Sequence, residues 1–112
     1  MSPSQGDIVL VPVPFTDLTS TRRRPVVVIS NDAYQSTTQD FVCVALTSNL
    51  APSPYGFDIT SADLASGTLN RTSRVRVDKV YTLSQQIIVA RFGAVSPPVL
   101  ARIRQLLSDL CR

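Results

Sequence analysis

The sequence contains no histidine and no tryptophan, and only 2 of its 112 residues are cysteines. Without histidine, the imidazole acid–base pair that many enzymes use is impossible. No Cys/His set and no cluster of acidic residues has the spacing of metal ligands, which argues against a metal-dependent nuclease. A glycine-rich phosphate loop is also absent, which disfavours nucleotide triphosphate chemistry. We therefore predict a protein that uses no cofactor and no metal.

Membrane and secretion signals are also absent from the sequence. No basic segment followed by an apolar one begins the chain, and no apolar run approaches ~18 residues. Cys43 lies within an apolar run and Cys111 near the end of a predicted terminal helix, and two such cysteines do not form a disulfide framework. We expect a cytoplasmic protein with one domain, residues 1–112, and no membrane contact. The net charge of +3 is compatible with a polyanionic partner.

Apolar and β-branched runs predict a mainly β protein. The runs at 7–11, 25–30 and 41–46 have no polar alternation, which is typical of strands covered on both faces. Three further segments are predicted as strands, at 55–60, 72–78 and 87–90, whereas 62–67 is predicted as a polar connection or short helix and 83–86 as a turn or one short helical turn. Ser96 followed by Pro97 indicates the start of a C-terminal helix. The expected architecture is a small antiparallel barrel with a C-terminal α-helix.

Three consecutive arginines, Arg22, Arg23 and Arg24, precede the second predicted strand. Each guanidinium offers a fork of donors that matches phosphate oxygens. If the second and third strands pair antiparallel, Arg24 lies beside residues 47–49 at the end of the third strand. A solvated basic loop remains the alternative interpretation.

The predicted strand at 72–78 carries charged side chains on one face, because successive side chains of a strand point to opposite faces. With Val75 and Val77 on one face, the opposite face carries arginines and a carboxylate. A groove of guanidinium, hydroxyl and carboxylate groups suits a phosphodiester of single-stranded nucleic acid. Without histidine or metal, such a groove could cleave RNA, whose 2′-hydroxyl serves as the nucleophile, but DNA would be a poor substrate. Exposed Arg/Asp faces are also common as solvated ion pairs.

Four motifs, in order, resemble the PemK/MazF family of toxins from bacterial toxin–antitoxin modules. They occupy residues 6–11, 23–30, 41–48 and 75–83. The resemblance implies an SH3-like barrel, usually a homodimer, and a sequence-specific, ribosome-independent endoribonuclease acting on single-stranded RNA. It also implies metal-independent products with a 2′,3′-cyclic phosphate and a 5′-hydroxyl, and silencing by a cognate antitoxin laid across the active groove.

The resemblance also implies roles for individual residues. Arg24 would hold the scissile phosphate, Thr47 would hydrogen-bond to it, and Asp78 and Arg76 would act as base and acid, although the high pKa of arginine favours an electrostatic role. Tyr81 stands where many members have arginine, so an RNA contact is lost or replaced by base stacking. The first loop departs from the family pattern, so the RNA motif cannot be inferred. The candidate RNA-binding residues are Phe15, Thr16, Arg22, Arg23, Ser48, Asn49, Arg74 and Tyr81.

Two other functions are possible on the same barrel. A gyrase poison like CcdB relies on a C-terminal Trp-Gly-Ile ending, whereas this chain lacks tryptophan and ends Leu110-Cys111-Arg112. A non-enzymatic SH3-like module would bind a peptide through Phe15, Tyr55 and Tyr81. The salt dependence of binding separates this module from an RNA-binding groove. For single-stranded RNA, the logarithm of the binding constant falls with the logarithm of the salt concentration, with a slope of about −0.7 per phosphate contact.

Overall fold

The computed structural model describes residues 2–12 and 23–112. Within these ranges the strands form one sheet in the order β4-β6-β3-β2-β1-β7-β5, in which all neighbours are antiparallel. This arrangement confirms the predicted mainly β class with a C-terminal helix. The elements are β1 (Asp7–Val11), β2 (Arg24–Val28), α1 (Asp32–Thr37), β3 (Asp40–Thr47), β4 (Gly56–Ile59), β5 (Leu64–Gly67), β6 (Ser73–Ser84), β7 (Ala90–Val95) and α2 (Pro97–Leu110).

The chain connection between the two edge strands forces the sheet to curl. Seven strands spaced about 4.8 Å apart would place the edges of a flat sheet roughly 29 Å apart. Yet β4 and β5 are these edges, and residues 60–63 alone connect them. So short a segment reaches at most about 18 Å. The sheet must therefore bend into a barrel-like half-cylinder.

Apolar side chains fill both faces of the central strands, as the uninterrupted apolar runs predict. Ile8 and Val27 face the inner cluster, whereas Val9 and Val26 face an outer cluster. Helix α2 contributes Val99 and Ile103 to the inner cluster and so packs on the sheet. The outer cluster consists of Val9, Val11, Val26, Val28, Phe41 and Cys43. No helix of the described residues is both long enough and apolar enough to cross a membrane.

Strand β6 carries a bulge that the sequence did not reveal. Its pairing with β3 runs through Val44↔Val80 and then continues at Ala45↔Arg76. Residues 77–79 therefore have no pairing partner on β3, and the amide of Val77 donates instead to the carbonyl of Tyr55 at 2.9 Å. Such bulges bend a strand and redirect its side chains.

Three predicted boundaries are wrong. Residues 64–67 form a strand rather than a connection or helix, because pairing with β7 overrides a polar local pattern. Strand β6 continues to Ser84, so the short helical turn predicted at 83–86 begins two residues later, at Gln85. The strand predicted at 87–90 instead starts at Ala90, since residues 85–87 form a 3₁₀ turn and Ile87 and Ile88 cover the outer cluster.

Candidate active site

The antiparallel register of β2 and β3 brings Arg24 and Thr47 together. Val26 pairs with Ala45, so the first residue of β2 lies opposite the last residue of β3. Both side chains are half-buried and line one cavity of about 320 Å³. We call this the Arg24 cavity. Its other lining residues are Arg23, Pro25, Leu46, Ser48, Leu69, Asn70, Arg71, Ser73 and Phe92.

Local hydrogen bonds orient the hydroxyl of Thr47. Its Oγ1 accepts from the amide of Asn49 at 3.1 Å, while the side-chain oxygen of Asn49 accepts from the amide of Ala51 at 3.1 Å. Because the hydroxyl oxygen already has a donor, its own proton is available for an anion. The turn after β3 therefore holds a hydroxyl-bearing residue in the wall of the Arg24 cavity.

Arg76 and Asp78 form a two-pronged ion pair on β6. The Nε and Nη2 atoms of Arg76 donate to the two carboxylate oxygens of Asp78 at 2.9 and 2.8 Å. These hydrogen bonds lower the pKa of Asp78 below its usual value and raise that of Arg76. Since both side chains keep more than a quarter of their surface exposed, the charged pair remains accessible to a ligand.

A second cavity, of about 130 Å³, adjoins this ion pair. Thr47 lines both this cavity and the Arg24 cavity, and Arg76 lines the second one. The structure thus places Arg24 and Arg76 in two cavities that share Thr47, and Asp78 is hydrogen-bonded to Arg76. The second cavity is lined by Ala45, Thr47, Asn49, Ala51, Arg76, Lys79 and Tyr81.

Arg74 lies on the same face but has other partners. Its Nε donates to Ser53 Oγ at 2.9 Å, its Nη2 to the Ser53 carbonyl at 3.0 Å, and its Nη1 to Asp58 at 2.9 Å. These bonds fasten β4 and the segment before it to β6. The structure therefore places Arg74 as a support of the neighbouring strand rather than as a lining residue of either described cavity.

The remaining predicted residues divide into three groups. Arg23 and Ser48 line the Arg24 cavity, whereas Asn49 and Tyr81 line the second cavity. Tyr81 also packs against the outer cluster, and burial is the main cause of the raised pKa of its phenol. Phe15, Thr16 and Arg22 lie outside the described residues.

Sequence reasoning missed several residues that line the two cavities. The two-residue period of β6 places Lys79 on the buried face with Val75 and Val77, but the bulge redirects it to the second cavity. Asn70 and Arg71 reach the Arg24 cavity from the segment after β5, a strand that the sequence did not predict. No local signal in the sequence marks either relocation, because both follow from long-range strand pairing.

Within residues 2–12 and 23–112, no group of three or more His, Cys, Asp or Glu side chains could hold a metal ion.

A family model described as PemK-like, MazF-like toxin of type II toxin–antitoxin system matches residues 4–111. No curated protein sequence matches the chain.

Solved structures with this fold cover almost the whole chain. An endoribonuclease in complex with its cognate antitoxin, from a mycobacterial species, has a TM-score of 0.79 and 22% identity, covering 97% of this chain and 94% of the other. MazF from Deinococcus radiodurans has a TM-score of 0.73 and 26% identity, covering 99% and 97%. The MazE–MazF complex from the same organism has a TM-score of 0.74 and 23% identity, covering 99% and 96%.

Proposed function

Because the chain belongs to the PemK-like, MazF-like toxin family of type II toxin–antitoxin systems, we propose that it is an endoribonuclease toxin that cleaves single-stranded RNA. The observation that carries this proposal is the position of Thr47, which lines both the cavity of Arg24 and that of Arg76. Two arginines and a threonine in adjoining cavities supply the kind of donors that bind a phosphodiester anion. The endoribonucleases among the structural neighbours support the same activity.

The proposed reaction uses the 2′-hydroxyl of the RNA as nucleophile. Its oxygen attacks phosphorus while Asp78 accepts its proton, and the bond to the 5′-oxygen breaks. The products are a 2′,3′-cyclic phosphate and a 5′-hydroxyl, whose proton comes from solvent. Arg24 and Thr47 hold the phosphate oxygens, and Arg76 remains protonated and neutralises the charge that develops on phosphorus. In this proposal the protein's own cations replace a metal ion.

Digestion of a mixed RNA pool by the purified protein tests the activity and its chemistry together. We expect fragments with 2′,3′-cyclic phosphate and 5′-hydroxyl ends, and an unchanged rate in excess EDTA. A substrate with a single 2′-deoxy sugar at the cleaved position should resist cleavage, because its nucleophile is missing. Ends with a 5′-phosphate, or cleavage of the deoxy substrate, would show that the 2′-hydroxyl is not the nucleophile.

The lowered pKa of Asp78 predicts how the rate depends on pH. A carboxylate with a depressed pKa stays ionised throughout the neutral range and is protonated only below its ordinary value of 3.8. We therefore expect no loss of activity from Asp78 between about pH 5 and 8, and a decline only below about pH 4. Asp78→Asn should lower the rate about 100-fold across that range. An acidic limb near neutral pH that disappears in Asp78→Asn would contradict this role.

We also propose that a cognate antitoxin silences the site and that the chain acts as a homodimer in the cytoplasm. The family description and the structural neighbour with its cognate antitoxin support the first point. A solution mass near twice the 12.2 kDa of one chain would support the dimer. A protein that stays monomeric at the concentrations where it cleaves RNA would exclude the dimer.

A further inference from the structure

The second cavity differs in character from the Arg24 cavity. Ala45 and Ala51 give it apolar walls, and Tyr81 adds an aromatic side chain. Walls of this kind suit a flat ring, while Arg76 and Lys79 bring positive charge to the same cavity. Since Thr47 lies at the border of the two cavities, a ring in this one would be attached close to a phosphate held at the other.

We propose that the second cavity is a base subsite that selects a pyrimidine in one of the two nucleotides flanking the cleaved bond. The proposal rests on the proposed function, because the cleaved phosphate must lie at Thr47 for a neighbouring base to reach Tyr81. It adds to that function the size and the chemistry of one recognised base.

The volume of the base subsite is close to that of one ring. The cavity measures about 130 Å³. For comparison, an engineered cavity of about 150 Å³ accommodates benzene. A pyrimidine is a single six-membered ring, whereas the fused rings of a purine fit this volume less well.

The base subsite offers several hydrogen-bond donors. The side-chain oxygen of Asn49 accepts from the amide of Ala51 at 3.1 Å, and the NH₂ group of Asn49 is a donor. The ammonium of Lys79 also donates only. Uracil and cytosine both carry a carbonyl oxygen at position 2 that can accept these hydrogen bonds.

Tyr81 is held in place before any ligand binds. Its position on β6 pairs with Cys43 on β3, and its ring packs against the outer cluster. A ring held by its neighbours loses little conformational entropy when a base stacks on it. The stacking contribution of one base to RNA binding is about 10-fold or more when the aromatic residue is replaced by alanine.

Sequencing the fragment ends from a randomised RNA pool tests the subsite. The wild-type protein should cut with uracil or cytosine favoured over purines by about 10-fold at one position next to the cleaved bond. Tyr81→Ala should admit purines at that position and leave other positions unchanged, whereas Tyr81→Phe should keep the preference. Val80→Ala is the matched control, because this neighbour is 40% exposed and lines neither cavity; it should cut as the wild type does.

A second variant addresses the possibility that Tyr81→Ala unfolds. Ala51 lies on an exposed turn, so Ala51→Leu fills the base subsite without touching the core. This variant should also lose the pyrimidine preference. A wild-type protein that cuts RNA without a pyrimidine preference at either flanking position, or a preference unchanged in Ala51→Leu, overturns the subsite and leaves the endoribonuclease standing. A protein that cuts no RNA overturns both.

Discussion

Replacing Arg24 by alanine should reduce RNA cleavage about 100- to 1000-fold without unfolding the protein. The guanidinium lies at the first position of β2, opposite the end of β3, and lines the cavity that Thr47 borders. Its removal withdraws a preorganised donor from the developing phosphorane, and single donors of this kind are worth that much in rate. Fragment formation under single-turnover conditions measures the chemical step directly.

Two further variants show whether the effect depends on the position of Arg24 and on the two-pronged geometry of its guanidinium group. Arg104→Ala removes the same side chain from an exposed position on α2 that lines neither described cavity, and should cleave at the wild-type rate. Arg24→Lys keeps the charge but loses the two-pronged geometry, so an intermediate rate is expected. Thermal denaturation of each variant checks the fold. Full activity of Arg24→Ala would show that Arg24 does not bind the phosphate.

The bulge in β6 separates what the sequence could predict from what it could not. The two-residue period assigned Val75 and Val77 to the core and Arg76 to the opposite face, and the structure agrees. The period fails after Val77, because three residues lose their partners on β3 and Lys79 turns to the second cavity. Local patterns predict faces within a regular strand, but a bulge depends on how a distant strand pairs.

The role of Arg74 shows a related limit. Its place on the charged face was predictable from the sequence, but its three hydrogen-bonded contacts with Ser53 and Asp58 were not. Ser53 is 21 residues away in the chain and approaches only when β4 pairs with β6. The antiparallel pairing of β2 with β3 was predictable because two apolar strands follow each other along the chain. The Arg24–Thr47 pair therefore followed from the sequence, whereas the far wall of their cavity did not.

A second large effect is expected on stability, from Gly67→Ala. Gly67 ends β5 with a φ of +82°, a conformation that side chains other than glycine rarely adopt. A Cβ here would overlap the carbonyl oxygen of Phe92 and lie 2.7 Å from Cα of Gly93. Strain and overlap together should lower the free energy of unfolding by about 2–4 kcal/mol. Chemical denaturation measures the change, and Ser66→Ala, on the exposed neighbour, should remain within about 0.5 kcal/mol of the wild type.

Gly67→Asn separates the two causes of this loss. Asparagine tolerates a positive φ better than alanine, but its Cβ overlaps Phe92 equally. If the overlap dominates, both variants lose similar stability; a stable Gly67→Asn would show that backbone strain dominates instead. Gly67 also leads directly into residues 69–71, which line the Arg24 cavity. A variant that stays folded should therefore cleave RNA more slowly, because the pairing of β5 with β7 positions the wall that faces Arg24.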